Sequence, residues 1–86
     1  MTCRIDRVST EKGVVLHISG RIAAEGLEVV RTALDGRRVA AIDLADVDLV
    51  DREAVTLLAQ TEAEGVELRN CPAYIREWIT KERGSS

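Results

Sequence analysis

Three short segments alternate between apolar and polar residues, and this pattern limits the possible folds more than any other feature of the sequence. The alternation runs through residues 14–19, 39–44 and 66–69. A period of two is typical of strands with one buried and one solvent-exposed face. A parallel sheet covered by helices on both sides has nearly continuous apolar strands instead. The pattern therefore predicts a sheet with its helices mainly on one face.

The alternation also assigns individual side chains to the two faces of this sheet. The predicted apolar face carries Val14, Leu16, Ile18, Ala40, Ile42, Leu44, Val66 and Leu68. The predicted polar face carries Val15, His17, Ser19, Val39, Ala41, Asp43, Glu67 and Arg69. Because this second face is mostly polar, we expect it to be open to solvent.

Segments with helical spacing of apolar residues separate the strands. Ala23, Leu27, Val30 and Leu34 recur at helical intervals before Gly36 and predict a first helix. A second helix is predicted over residues 52–64, before Gly65. A third follows Pro72, a residue suited to the first turn of a helix. On this last helix Trp78 is predicted to be the anchor, together with Ile75 and Ile79.

The order of these elements predicts an α/β domain. Residues 2–8 and 14–19 are predicted to form a hairpin around a polar turn, with Gly20 at the end of the second strand and residues 46–51 as an acidic connection. The resulting order, ββαβαβα, predicts a four-stranded mixed sheet, with an antiparallel N-terminal hairpin followed by parallel strands and right-handed crossovers. At 86 residues the chain has room for one core. We assign residues 1–82 to this single domain and residues 83–86 to a frayed tail.

Composition excludes several classes of function. A net charge of −3 and only two aromatic residues argue against nucleic-acid binding, which needs clustered basic side chains and stacking rings. The chain has no apolar run of membrane-spanning length and no apolar signal segment near residue 1, so we expect a cytoplasmic protein that does not bind membranes. Cys3 and Cys71 lack metal-binding spacing and are read as small apolar core residues.

The inventory of reactive residues predicts a protein that is not an enzyme. His17, the single histidine, falls on the polar face of a strand with no nucleophile placed for it to activate. The glycines form no phosphate-binding pattern such as GxxxxGK[ST] or GxGxxG. We therefore expect no catalytic residues, no metal and no cofactor.

Five acidic residues cluster between Asp43 and Glu53, where a strand gives way to a helix. The pattern lacks the central glycine and the final glutamate of an EF-hand loop. One interpretation is purely structural, with Asp51 capping the helix and Glu53 stabilising its positive first turn. The other is a recognition patch formed by Asp51, Arg52 and Glu53, since the carboxyl ends of parallel strands are the working edge of open α/β sheets.

Two stretches resemble the STAS domain, which is shared by bacterial anti-sigma factor antagonists and the tails of sulfate transporters. They are LHISGRI, residues 16–22, and AIDLADVDLVDREAV, residues 41–55. The family pattern is a strand ending in Gly-Arg-hydrophobic, then hydrophobic-Asp-Leu-Ser-x-Val, and Asp-Ser-Ser-Gly-Leu at a helix start. Asp43, Leu44, Val47 and Asp51 fall on matching positions. The resemblance extends over residues 2–80 and implies a short form, without the family's final strand and helix.

The sequence departs from the family at its regulatory serine. In switching members the second serine of Asp-Ser-Ser-Gly is phosphorylated by a kinase that is also an anti-sigma factor, and phosphorylation releases the complex. Here Arg52 and Glu53 occupy the two serine positions and Ala54 occupies the glycine position. Glu53 offers one negative charge where phosphoserine carries about −1.5 to −2. It either imitates the phosphorylated state weakly and permanently or marks a site that has lost its regulation.

Together these features predict a non-enzymatic protein-interaction module of bacterial signalling and transcription regulation. The resemblance implies a protein partner, an anti-sigma factor or kinase-type regulator. The predicted partner-binding residues are Arg21, Ala24, Glu25, Asp48, Asp51, Arg52, Glu53 and Ala54. Two alternatives stay open: binding of a nucleotide or lipid at the same edge, and assembly through the open sheet face or the 71–79 helix. The sequence leaves the oligomeric state undetermined.

Overall fold

The computed structural model describes residues 3–23, 25–35 and 38–84 of the chain. The four strands are β1 (Arg4–Thr10), β2 (Gly13–Ile22), β3 (Val39–Val50) and β4 (Glu67–Arg69). The three helices are α1 (Glu25–Leu34), α2 (Arg52–Ala63) and α3 (Ala73–Gly84). The predicted order ββαβαβα is confirmed. The predicted frayed tail begins within α3, which continues to Gly84, and its last two residues lie outside the described part.

The strands form one sheet in the order β1-β2-β3-β4. β1 pairs antiparallel with β2, whereas β2–β3 and β3–β4 are parallel. This confirms the mixed sheet that the hairpin and the β–helix–β spacing predicted. The two parallel connections pass through α1 and α2.

A single apolar core lies between the sheet and the helices. The strands contribute to it mainly the apolar set predicted from the alternation, and all three helices face it. Its fully buried large side chains are Leu16, Ile18, Ile22, Val30, Ile42, Leu44, Val55, Leu58, Ile75 and Ile79. Because residues from every helix meet one face of the sheet, the predicted one-sided packing is confirmed. Trp78 packs against this core only from its margin and is half-buried, so the fully buried Ile75 and Ile79 anchor α3.

β2 and β3 run further than the sequence predicted. Gly20 lies inside β2, and the expected acidic connection is the last part of β3. Here the buried residues are Leu44, Val47 and Val50, three apart rather than two. Register shifts in the β2–β3 pairing insert extra β3 residues, as in a β-bulge, and return every third side chain to the core. A prediction based on a spacing of two between buried residues therefore ended β3 too early.

A similar shift corrects the face assignment at the start of β3. Val14 pairs with Val39 but the next residue, Val15, pairs with Ala41, which leaves Ala40 as the extra residue. Val39 consequently packs against the core instead of lying on the polar face. Ala41 keeps its predicted place on the outer face, yet it is fully buried between neighbouring strands.

Two glycines allow close packing and chain reversal. A Cβ on Gly26 would lie 2.7 Å from the carbonyl oxygen of Arg21, so glycine lets α1 begin directly against the end of β2. Gly65, with φ of +103°, ends α2 in a conformation that side-chain-bearing residues rarely adopt. Pro72 accepts hydrogen bonds from the N–H groups of Ile75 and Arg76 and so starts α3, as predicted.

None of the described helices has the length and apolar character needed to cross a membrane.

Candidate functional site

The candidate site lies where β2 and β3 end and α2 begins. β3 passes into α2 through a single residue, Asp51, whose N–H donates to the carbonyl of Ile22 at 3.3 Å. At the predicted working edge of the sheet, this hydrogen bond therefore links the end of β2 to the start of α2.

Asp51 has a defined structural role as the N-cap of α2. It is extended, with φ −102° and ψ −178°, and its Oδ1 accepts the N–H of Ala54 at 2.8 Å. Glu53 follows in the first turn with its side chain exposed. A carboxylate in this position is stabilised by the positive end of the helix dipole. Both parts of the structural interpretation of these two acids agree with the geometry.

The bulged end of β3 projects Leu49, a side chain that the sequence pattern did not single out. Leu49 is 48 % exposed although it sits in a strand. It pairs with Arg21 of β2, and Asp48 beside it is also exposed. The centre of a protein contact is more apolar than its rim, and Leu49 with its charged neighbours has this arrangement on a small scale.

α3 supports this surface from the side. The hydroxyl of Tyr74 donates to the carbonyl oxygen of Asp48 at 3.1 Å. Arg52 lies 3.6 Å from the carboxylate of Glu82 near the other end of α3. Sequence reasoning missed both supporting residues, because nothing local in α3 indicates that it reaches the β3–α2 junction.

The eight predicted partner-binding residues are only partly brought together. Arg21, Asp48, Arg52 and Glu53 are exposed at the junction, and Asp51 is half-buried with its carboxylate engaged in the cap. Ala54 is fully buried and supports α2 from inside, so it offers no surface to a partner. Ala24 lies outside the described residues. Glu25 begins α1, but its side chain is likewise outside the described part.

An open groove of about 420 Å³ lies between α1 and α2, next to the β3–α2 junction. Its lining consists of Arg31, Arg52, Glu53, Thr56, Leu57 and Gln60. The lining combines charged, uncharged polar and apolar side chains, and the groove is open to solvent. An open groove encloses a small molecule less completely than a typical ligand pocket does.

His17 belongs to a polar network on the outer face, away from the junction. Its Nε2 lies 2.8 Å from Oδ2 of Asp46. Asp43, beside it, accepts the N–H of Ala45 at 2.9 Å and an amide N–H of Asn70 at 3.2 Å. The N–H of Ala45 is the main reason that the pKa of Asp43 is lowered, with smaller contributions from Asn70, His17 and Arg69. Within the described residues, no cluster of three side chains suited to a metal ion occurs.

The two cysteines are apolar packing residues, Cys3 within the core and the half-buried Cys71 against it. Burial raises the pKa of both Cys3 and Cys71, which disfavours the reactive thiolate. The thiol of Cys3 donates a weak hydrogen bond to the carbonyl of Gly26 at 3.5 Å. Neither thiol has the lowered pKa that a nucleophile requires.

Comparison with known proteins returned no match, either to a protein-family model or to a curated protein.

Proposed function

We propose that this chain is a non-enzymatic protein-interaction module, similar to an anti-sigma factor antagonist but without the phosphorylatable serine. Its docking surface consists of Arg21, Asp48, Leu49, Arg52 and Glu53, and we call it the junction surface. The resemblance of residues 16–22 and 41–55 to the STAS pattern motivates the proposal. The predicted ββαβαβα order, which the fold reproduces, is the topology that this resemblance implies.

The observation that carries the proposal is the exposed Leu49 on a rigid backbone. An apolar side chain is 48 % exposed here among charged neighbours. Hydrogen bonds hold the backbone on both sides of it, from Tyr74 to Asp48 and from Asp51 to Ile22. A preorganised surface loses little conformational entropy on binding, which favours recognition of a protein partner.

Replacing Leu49 tests the surface directly. We expect Leu49→Asp to weaken binding of a purified kinase-type anti-sigma factor at least about tenfold, because it places a desolvated charge at the centre of the contact. Val8→Asp is the matched control, since Val8 is a similarly exposed apolar strand residue on the open sheet face. Isothermal titration measures both. Equal affinities for the two variants, or failure of both the native chain and Glu53→Ser to bind any such factor, would contradict the proposal.

Glu53 determines whether the module is held permanently in the state that phosphorylation produces in switching members of the family. It is exposed, and it lines the groove together with Arg31 and Arg52. If it imitates phosphoserine, it repels a partner that prefers the unphosphorylated serine. Glu53→Ser should then raise affinity for the kinase-type factor at least about tenfold, since a like charge in an interface costs several kcal/mol.

The control for this substitution is Glu77→Ser, which removes an equally exposed glutamate from α3. A gain for Glu53→Ser alone supports the imitation. Tight binding by the native chain, or equal affinity of all three proteins, identifies Glu53 as a helix-start acid only. If the native chain binds too weakly to titrate, the Leu49→Asp and Val8→Asp comparison is made in the Glu53→Ser background, so that the docking surface is tested whatever the role of Glu53.

The open groove supports a second candidate function, recognition of a small anionic ligand such as a nucleotide. Arg31 and Arg52 line it together with one acid, Glu53, so the lining carries a net positive charge that favours a phosphate. Titration with ATP and GTP discriminates between the two functions. Nucleotide binding that Arg52→Ala abolishes, and that Leu49→Asp leaves intact, would favour the ligand function over the protein module.

A further inference from the structure

The outer edge of β1 is not covered by another strand of the described chain. β1 is the first strand of the sheet and pairs only with β2. On β2, Val14 donates its N–H to the carbonyl of Arg38 at 2.9 Å, toward the β3 side. Backbone groups of successive strand residues point to opposite edges. Three residues further along β2, His17 therefore directs its backbone groups toward β1.

This alternation identifies which groups of β1 are free. Asp6 is the partner of His17 and directs its backbone groups back toward β2. Ile5 and Arg7, on either side of Asp6, consequently direct their N–H and C=O groups to the open edge. An exposed edge with unpaired backbone groups is a template for another strand unless its side chains prevent pairing.

The side chains of β1 select one symmetric register. Residues directly opposite each other in an antiparallel pair share a face, so a twofold pair of β1 strands centres on a single residue. Centring on Arg4, Asp6 or Arg7 places like charges opposite each other, and centring on Val8 pairs no charges at all. Centring on Ile5 places Arg4 of each copy opposite Asp6 of the other and joins the two isoleucines at the axis.

Helix α1 extends this edge with apolar surface. A Cβ on Gly26 would lie 3.4 Å from the sulfur of Cys3, the residue that precedes β1. The Gly26 side of α1 therefore faces the β1 edge, and Val29, three residues later, lies on the same side of the helix. Val29 is 43 % exposed, and Ile5 is only half-buried against the core. The free edge is thus flanked by apolar groups that a partner would cover.

From these observations we infer that two copies of this chain associate through β1. The strands pair antiparallel around Ile5, the sheet continues through both copies, and Val29 of each α1 contacts the facing copy. Within one chain the exposed Arg4 and Asp6 side chains lie 3.6 Å apart. In this register each also faces its opposite charge on the other copy, which favours a second copy over an unrelated strand. This surface lies at the opposite edge of the sheet from β4 and leaves the junction surface free for its partner.

Two charge-reversal variants test the register. Arg4→Asp gives a strand with acids at both positions, and Asp6→Arg gives a strand with arginines at both. In this register each variant repels itself, so its dimer dissociation constant should rise about tenfold or more. An equimolar mixture restores both ion pairs and should form a heterodimer. Lys12→Asp, an equal change of charge in the exposed hairpin turn, should leave self-association unchanged.

Sedimentation velocity measures self-association of each protein and of the mixture, and circular dichroism verifies that each variant is folded. We expect a native dimer, two weakly associating variants and a restored dimer on mixing. A native chain that remains monomeric up to about 1 mM has a dimer dissociation constant weaker than that of a specific interface and overturns the inference. So does undiminished association of either variant, or a mixture that fails to recover the dimer.

Discussion

At the residue scale, Asp51 joins the two halves of the candidate site through one side chain and one backbone group. Asp51→Ala removes the acceptor of the Ala54 N–H and should lower the free energy of unfolding by about 1 kcal/mol, the usual effect of losing an N-cap. Asp48→Ala, at a neighbouring exposed position, should change it by no more than about 0.5 kcal/mol. Urea denaturation compares the two. Equal losses of unfolding free energy would mean that the hydrogen bond from Asp51 to Ala54 contributes nothing and that both variants lose only the effect of one acidic side chain.

Asp43 makes the stability of the outer face depend on pH. Its pKa is lowered, chiefly by the N–H of Ala45, so the folded protein favours the ionised carboxylate. This contribution is complete above the carboxyl's unfolded pKa of about 3.9 and is lost as pH falls through the lower folded value. Asp43→Asn keeps an oxygen acceptor but cannot ionise.

The difference in unfolding free energy between the native chain and Asp43→Asn should accordingly be constant between about pH 5 and 7 and shrink below about pH 4. Urea denaturation at a series of pH values measures it. Asp46→Asn is a control for general loss of acidic charge on the same face. A difference that does not change with pH would show that the Ala45 hydrogen bond does not depend on charge.

At the element scale, α3 is held by aliphatic side chains and by a paired arginine. Ile79 is fully buried, whereas Trp78 lies half-buried at the edge of the core. Arg76 adds two hydrogen bonds to the carboxylate of Glu62 on α2, at 3.0 and 2.9 Å, and this contact raises the pKa of Arg76.

We expect Ile79→Ala to lower the unfolding free energy by about 2–5 kcal/mol, as for other buried isoleucines. Trp78→Ala should have a smaller effect than the 3–5 kcal/mol typical of a fully buried tryptophan. Thermal unfolding followed by circular dichroism distinguishes them. A larger loss for Trp78→Ala than for Ile79→Ala would restore the sequence-based view that Trp78 is the anchor of this helix.

The elements show what sequence periodicity can and cannot predict. α2 was predicted to within one residue, because Asp51 and Gly65 mark its ends with side-chain and backbone chemistry that acts locally. The end of β3 was missed, since the shifts that return Val47 and Val50 to the core arise from its pairing with β2. Leu49 could be recognised as exposed only after those shifts were known. A spacing of three between buried residues of a strand can be interpreted only when the pairing with the neighbouring strand is known.

At the scale of the whole molecule, the one-sided architecture followed directly from alternation in the strands. The same alternation gave the polar side chains of the outer face but not their arrangement. Asp6, His17, Asp43 and Arg69 are partners in one row across all four strands. That row depends on register, as does the support of the junction surface by Tyr74, and neither is encoded in a local pattern.

Because the outer face is open, substitutions at the adjacent β4 residues Glu67 and Leu68 should have very different effects on the unfolding free energy. Glu67 lies on that face and pairs with Arg69, and both side chains are largely exposed. Exposed ion pairs contribute little, so Glu67→Gln should change the unfolding free energy by about 0.5 kcal/mol or less. Leu68, one residue further, faces the core, and Leu68→Ala should cost about 2–5 kcal/mol. Chemical denaturation of both variants measures this contrast. Comparable losses would mean that the outer face is covered in solution, and Glu67→Gln would then weaken a packed interface instead of a solvated surface.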